Sequence, residues 1–145
     1  MNRKIDKLIP KAIDALKDTA NCKISTDGRS IDSAYRSAIS SFGAAITLGS
    51  LKAAVAVFTK DAEGGEAGIK RSELLRAIHF LVFENEGWLE KAEVFNRVIA
   101  ETAISANERS LRRRFINAAV ALKLAMNAFE LTKKENTGGG EGAES

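Results

Sequence analysis

Between Ile104 and Lys134 the chain reads ISANERSLRRRFINAAVALKLAMNAFELTKK, and this stretch constrains the fold most. It contains no proline or glycine, so it reads as one long helix from about Glu108 to Lys134. With about 100° between successive residues, Leu111, Phe115, Ala118, Leu122 and Phe129 fall in one apolar stripe. Ile116, Val120, Leu124 and Leu131 form a second stripe on nearly the opposite side. A helix apolar on both sides is either central to a helical domain or lends one face to another molecule. Arg109, Arg112, Arg113 and Lys123 border the second stripe, while Arg114 stands alone between the two. Burying unpaired charge costs several kcal/mol per group, so four cations point that stripe toward an anionic partner. The competing account is that their long stems cover a neighbouring helix while their heads remain in water.

The remaining chain supplies helices around it. Ile5, Leu8, Ile9, Ala12, Ile13 and Leu16 recur at helical spacing over residues 3–19, with Pro10 marking either a kink or the proper start. Residues 21–32, NCKISTDGRSID, have turn chemistry, after which Asp32 or Ser33 can cap a helix through Phe42 and Ile46. Gly49-Ser50 separates that helix from LKAAVAVFTK. AEGGEAG, 62–68, reads as a flexible loop, and SELLRAIHFLVFEN as a helix closed by Asn85-Glu86-Gly87. Trp88, Leu89, Ala92, Phe95 and Ile99 mark another. The expectation is an all-α single domain of about six helices without a sheet over 1–134, followed by a disordered, acidic, glycine-rich tail over 135–145.

Charge narrows the partners. The chain holds 22 Lys and Arg against 19 Asp and Glu, a net +3, and Glu135, Glu141 and Glu144 all fall in the tail. The helical part is therefore more basic than the total, which favours an anionic partner. The single cysteine, Cys22, forbids an intrachain disulfide and fits a reducing compartment. MNRKIDK is too charged for a signal peptide. FGAAITLGSLKAAVAVF, 42–58, is too short to span a bilayer and carries Lys52 near its middle. A cytoplasmic protein away from membranes is expected.

Catalytic and metal chemistry find few residues to use. One histidine and one cysteine, His79 and Cys22, cannot build a His/Cys metal site, and no carboxylate cluster replaces one. His79 lies in an apolar helix without a nucleophile motif and reads as a partly buried structural histidine. Glu84 and Glu86 read as a solvated helix end. The glycine-rich loop before Lys70-Arg71 lacks the Gly-Lys-Ser/Thr ending that a phosphate-binding loop needs. Neither an enzyme, a metal nor a cofactor is expected. Further cations lie at Lys4, Lys7 and Lys11, with Arg3 beside them, and at Lys70, Arg71 and Arg76. Aromatics do not alternate with these bases as in a base-stacking platform, so phosphate contact without base reading is the expectation.

SAYRSAISSFGAAITLGSLKAAVAVF, with Tyr35, Phe42-Gly43, Gly49-x-Leu51 and Phe58, followed by the basic RRRFINAAVALKLAMNAFEL, resembles the small all-helical subunit family of the type III-B CRISPR–Cas (Cmr) effector, the fifth Cmr protein. The resemblance runs over nearly the whole chain in soft hydrophobic patterns. It implies a non-catalytic structural subunit of an antiviral ribonucleoprotein. Such a subunit stacks beside the guide-RNA backbone subunit and other effector proteins, and helps accommodate guide and target RNA through the phosphate backbone. The candidate RNA- or partner-binding residues are Arg109, Arg112, Arg113 and Lys123, then Lys70, Arg71 and Lys7, with Ile116, Val120 and Leu124 as partner interface. The alternative is a helical homo-oligomer that self-associates through the Ile116/Val120/Leu124 stripe and binds no nucleic acid. A helix-turn-helix DNA reader is disfavoured, because the helix after Gly49 carries Ala and Val where polar readers belong.

Overall fold

The computed structural model describes residues 3–60 and 69–132. The expected glycine-rich loop at 62–68, the boundary at 134 and the tail at 135–145 lie outside the described residues. Within them are six α-helices: α1 (Arg3–Lys17), α2 (Ala34–Leu48), α3 (Leu51–Thr59), α4 (Arg71–Val82), α5 (Lys91–Thr102) and α6 (Ser105–Ala125). Single 3-10 turns follow α4 at Glu84–Glu86 and α6 at Met126–Ala128. None of these helices is long and apolar enough to cross a membrane.

The helix ends follow local chemistry. Pro10 is accommodated inside a continuous α1 on its exposed side, so no new start is needed there. Asp32 is the cap of α2, its Oδ1 accepting the Ala34 amide at 2.9 Å, while Ser33 makes no side-chain cap. Gly49 ends α2 with its amide on the Ala45 carbonyl, where an added Cβ would lie 3.0 Å from that oxygen. Ser50 then opens α3 by accepting the Ala53 amide at 3.0 Å. Gly87, at φ +71°, turns the chain after the 3-10 segment, and a Glu90/Glu93 capping box starts α5.

The expectation of a sheet-free domain is corrected by two short strands, β1 (Ser30–Asp32) and β2 (Glu130–Thr132). They pair in parallel, Ser30 with Glu130, Ile31 with Leu131 and Asp32 with Thr132. The expected helix to Lys134 is corrected with them, because α6 stops at Ala125. Phe129 is buried, and its neighbours extend to join β1, so packing and pairing outweigh the helical preference of NAFEL. Leu131 therefore lies on a strand and does not prolong the second stripe of α6.

The helix α6 is the centre of the domain, packing against α1, α2, α4 and α5. Leu111, Phe115, Ala118 and Leu122 are buried, as their stripe requires. The Phe115 ring lies 6.5 Å from Phe42 of α2 and 6.3 Å from Phe83 at the end of α4. Phe42 meets Phe58 of α3 edge-on at 5.0 Å, so the aromatic contacts continue from α6 through α2 to α3.

Candidate nucleic-acid interface

Counting 100° per residue, Arg109, Arg113, Ile116, Val120 and Leu124 occupy one sector of α6 about 80° wide, and that sector faces outward. Val120 is 38% and Leu124 42% exposed, Ile116 is half-buried, and both arginines are exposed. Arg109 and Arg113 have no hydrogen-bond or ion-pair partner among the described residues. They stand at i and i+4, where like charges repel by about 0.2–0.5 kcal/mol. Folding alone gives no reason to keep that pair.

Arg112 and Lys123 flank the sector and behave differently. Arg112 Nη2 donates to the Ile46 and Thr47 carbonyls at 3.0 and 3.1 Å, satisfying orphan groups at the C-terminus of α2 where a cation also suits the helix dipole. Lys123 Nζ donates to Ser40 Oγ at 2.6 Å. These two side chains hold α6 antiparallel along α2 while bordering its exposed face. Arg114 turns the other way, donating to the Val82 carbonyl at 2.6 Å and lying 5.4 Å from the Phe83 ring, so it caps α4.

Not all the sequence-derived cations come together. Lys7 is exposed on α1 and lines a groove of about 240 Å³ with Arg114 and Asn117 of α6. Lys70 and Arg71 lie at the start of α4, ~17 Å along its axis from Val82, which contacts Arg114. The Lys70 amide donates to Tyr35 Oη at 3.0 Å, and Arg71 lies 5.0 Å over the Phe58 ring. The pair belongs to the α2–α3–α4 junction, away from the α6 cluster.

Arg76, grouped with the surface bases in the sequence, is an internal clamp. Its Nε donates to the Leu89 carbonyl at 2.7 Å, and Nη1 to the Asn21 carbonyl at 2.9 Å and Glu73 at 3.1 Å. His79 is fully buried, not partly so, and its Nε2 lies 3.2 Å from Glu86 Oε1. Burial holds the imidazole below its ordinary pKa against the upward pull of the Glu86 carboxylate. Glu86 is likewise more than a solvated helix end, since its other oxygen accepts Arg97 Nε at 2.7 Å. Arg97 also bonds Glu101 at 2.7 Å and covers Phe83 at 4.3 Å, closing a network between the end of α4 and α5.

Sequence reasoning missed two apolar residues beside the arginines. Leu48 is 87% exposed and follows the Thr47 carbonyl held by Arg112, and Ile104 is exposed immediately before α6. The signal for Leu48 was its place as the last helical residue before Gly49. Among the described residues no group of three or more His, Cys, Asp or Glu side chains could hold a metal ion. What this face offers is charge neutralisation and apolar contact.

The architecture is an α6-centred helical domain with one outward face of mixed arginine and aliphatic character. No family model, curated protein or solved structure matches the chain.

Proposed function

We propose that the chain is a non-catalytic, cytoplasmic structural subunit of a CRISPR–Cas ribonucleoprotein effector of type III-B. In this role it stacks along the subunits that coat the guide RNA and lines the path of guide and target RNA in antiviral defence. The observation that carries the reading is the exposed face of α6, where Arg109 and Arg113 stand without partners among the described residues, beside Val120 and Leu124. Phosphates would take the guanidinium forks, and a neighbouring protein the aliphatic residues. The resemblance over 33–58 and 112–131 supports the family. The test is purification of the chain from its own cells, with mass spectrometry of the accompanying proteins and sequencing of the accompanying RNA. Effector subunits with a guide RNA are the expected result. Recovery of the chain alone, without RNA, overturns the proposal.

A further inference from the structure

The exposed sector of α6 continues onto α2, which Arg112 and Lys123 hold alongside it. Ser37, Ser40, Ser41 and Ala44 are exposed on α2, and Ser37 and Ser41 make no hydrogen bond among the described residues. Arg36, one turn before Ser40, is half-buried and has no hydrogen-bond or ion-pair partner among them either. It stands in the first turn of α2, where the helix dipole disfavours a cation, so folding gives no reason for it. Neither α2 nor α6 beyond Glu108 holds an acidic residue. Glu108 is half-buried and lies about 100° round the helix from Arg109, while Asp32, before α2, accepts the Ala34 amide. The cations fall into two groups, Arg109 and Arg113 at one end of the face and Lys123 with Arg36 at the other. Over the ~15 Å of α6 between Arg113 and Lys123 the face carries no charge, since Arg114 is turned to the end of α4.

We propose that this α2–α6 face lies across the minor groove of an A-form RNA duplex, an inference that rests on the reading of α6 as an RNA-contacting face. Arg109 and Arg113 would hold phosphates of one strand, and Arg36 and Lys123 those of the other, ~20 Å away along the helix axes. The Ser37 and Ser41 hydroxyls would meet 2′-hydroxyls between the two rows. The distribution of charge favours paired over single strands. A single strand carries a charge on every nucleotide and would lay phosphates over Ala44, Ile116 and Val120, where no cation answers them. Its unpaired bases would find no stacking partner, because Tyr35, Phe42 and Phe115, the aromatics of the two helices, are all buried. A duplex instead separates two phosphate rows, and in the A form a wide, shallow minor groove between them displays the 2′-hydroxyls. The minor groove of B-form DNA is only about 6 Å wide, too narrow for two helices lying side by side.

The test is fluorescence anisotropy of the full chain with a labelled RNA duplex of about 16 base pairs, one of its single strands, and the DNA duplex of the same sequence. The RNA duplex should bind about tenfold tighter than either of the others, the effect of one further charge-assisted contact. Arg36→Gln, at a side chain with no partner to lose, should weaken the RNA duplex about tenfold. It should leave the single strand unchanged, because a single strand keeps only the Arg109 and Arg113 contacts. Ser37→Ala with Ser41→Ala, a helix-favouring change, should weaken the RNA duplex and leave the DNA duplex unaffected. Circular dichroism checks that each variant is folded. Equal affinity for duplex and single strand, or for RNA and DNA duplexes, overturns the proposal and leaves the RNA reading of α6 standing. An RNA duplex that binds Arg36→Gln as tightly as the parent chain does the same. Binding of none of the three probes, or binding indifferent to the loss of Arg109 and Arg113, overturns that reading and this inference with it.

Discussion

Replacing Arg109 and Arg113 together by glutamine should make RNA binding less sensitive to salt while slightly stabilising the fold. Of the four cations bordering the exposed stripe, these two have no intramolecular partner among the described residues, whereas Arg112 and Lys123 also serve α2. For a single strand, each neutralised phosphate contributes about 0.7 to the slope of log K against log salt. Loss of two contacts should therefore make the slope shallower by about 1.4. Between about 50 and about 200 mM salt, the variant should lose about sevenfold less affinity than the parent chain. Fluorescence anisotropy of labelled oligouridine across a salt series measures this directly, with the double variant Lys52→Gln/Lys60→Gln, at two exposed lysines, as a charge-matched control. The same substitution removes an i,i+4 repulsion, so the variant should unfold at equal or slightly higher denaturant, by about 0.2–0.5 kcal/mol. An unchanged salt slope would refute the assignment of phosphate contact to this face. A loss of stability would refute the view that these residues are held against the interests of folding.

Other predictions probe the scaffold. Phe115→Ala empties a fully buried site between Phe42 and Phe83 and should cost about 3–5 kcal/mol by urea denaturation, while a loss below about 1 kcal/mol would deny α6 its central place. Ser50→Ala removes the acceptor at the start of α3 and should cost about 1 kcal/mol in the same assay. His79 has its folded pKa depressed below 6.5, so the unfolded chain takes up a proton first as the pH falls. Stability should then decline below pH ~6.5 until the folded pKa is reached, with a slope of at most about 1.4 kcal/mol per pH unit from this group. His79→Phe should remove that component from denaturation midpoints measured across the range. Cys22 is buried, its thiol pushed up to about 11, so a thiol reagent at pH ~8 should label it at the rate of structural opening and no faster.

The helices were legible because their apolar residues repeat at the helical period and their stops carry Gly49, Ser50 and Gly87. The two stripes of α6 follow from that period, while the outward position of Arg109, Arg113, Val120 and Leu124 was signalled by the cations bordering the second stripe. What escaped was set by distant neighbours. Glu130, Leu131 and Thr132 carry no local mark of a strand, because their partner is β1. Arg76 looked like other surface bases, yet the Leu89 and Asn21 carbonyls and the Glu73 carboxylate, from separate elements, fix it inside the fold. The role of Glu86 was hidden likewise, since its partners His79 and Arg97 are joined only by the turn at Gly87.

The pairing of β1 with β2 also bears on how the protein is made. Thr132 Oγ1 donates to the Ile31 carbonyl at 3.4 Å across 101 residues of sequence, and α1 packs chiefly on α6. During synthesis the first helix and the strand after it emerge long before either partner exists. Leu16, Ile31 and their neighbours must then wait with apolar surface uncovered until the last helix leaves the ribosome. Completion of this domain consequently waits on the synthesis of α6 and β2. Ribosome-bound chains ending before β2 are the species in which chaperone engagement should be greatest.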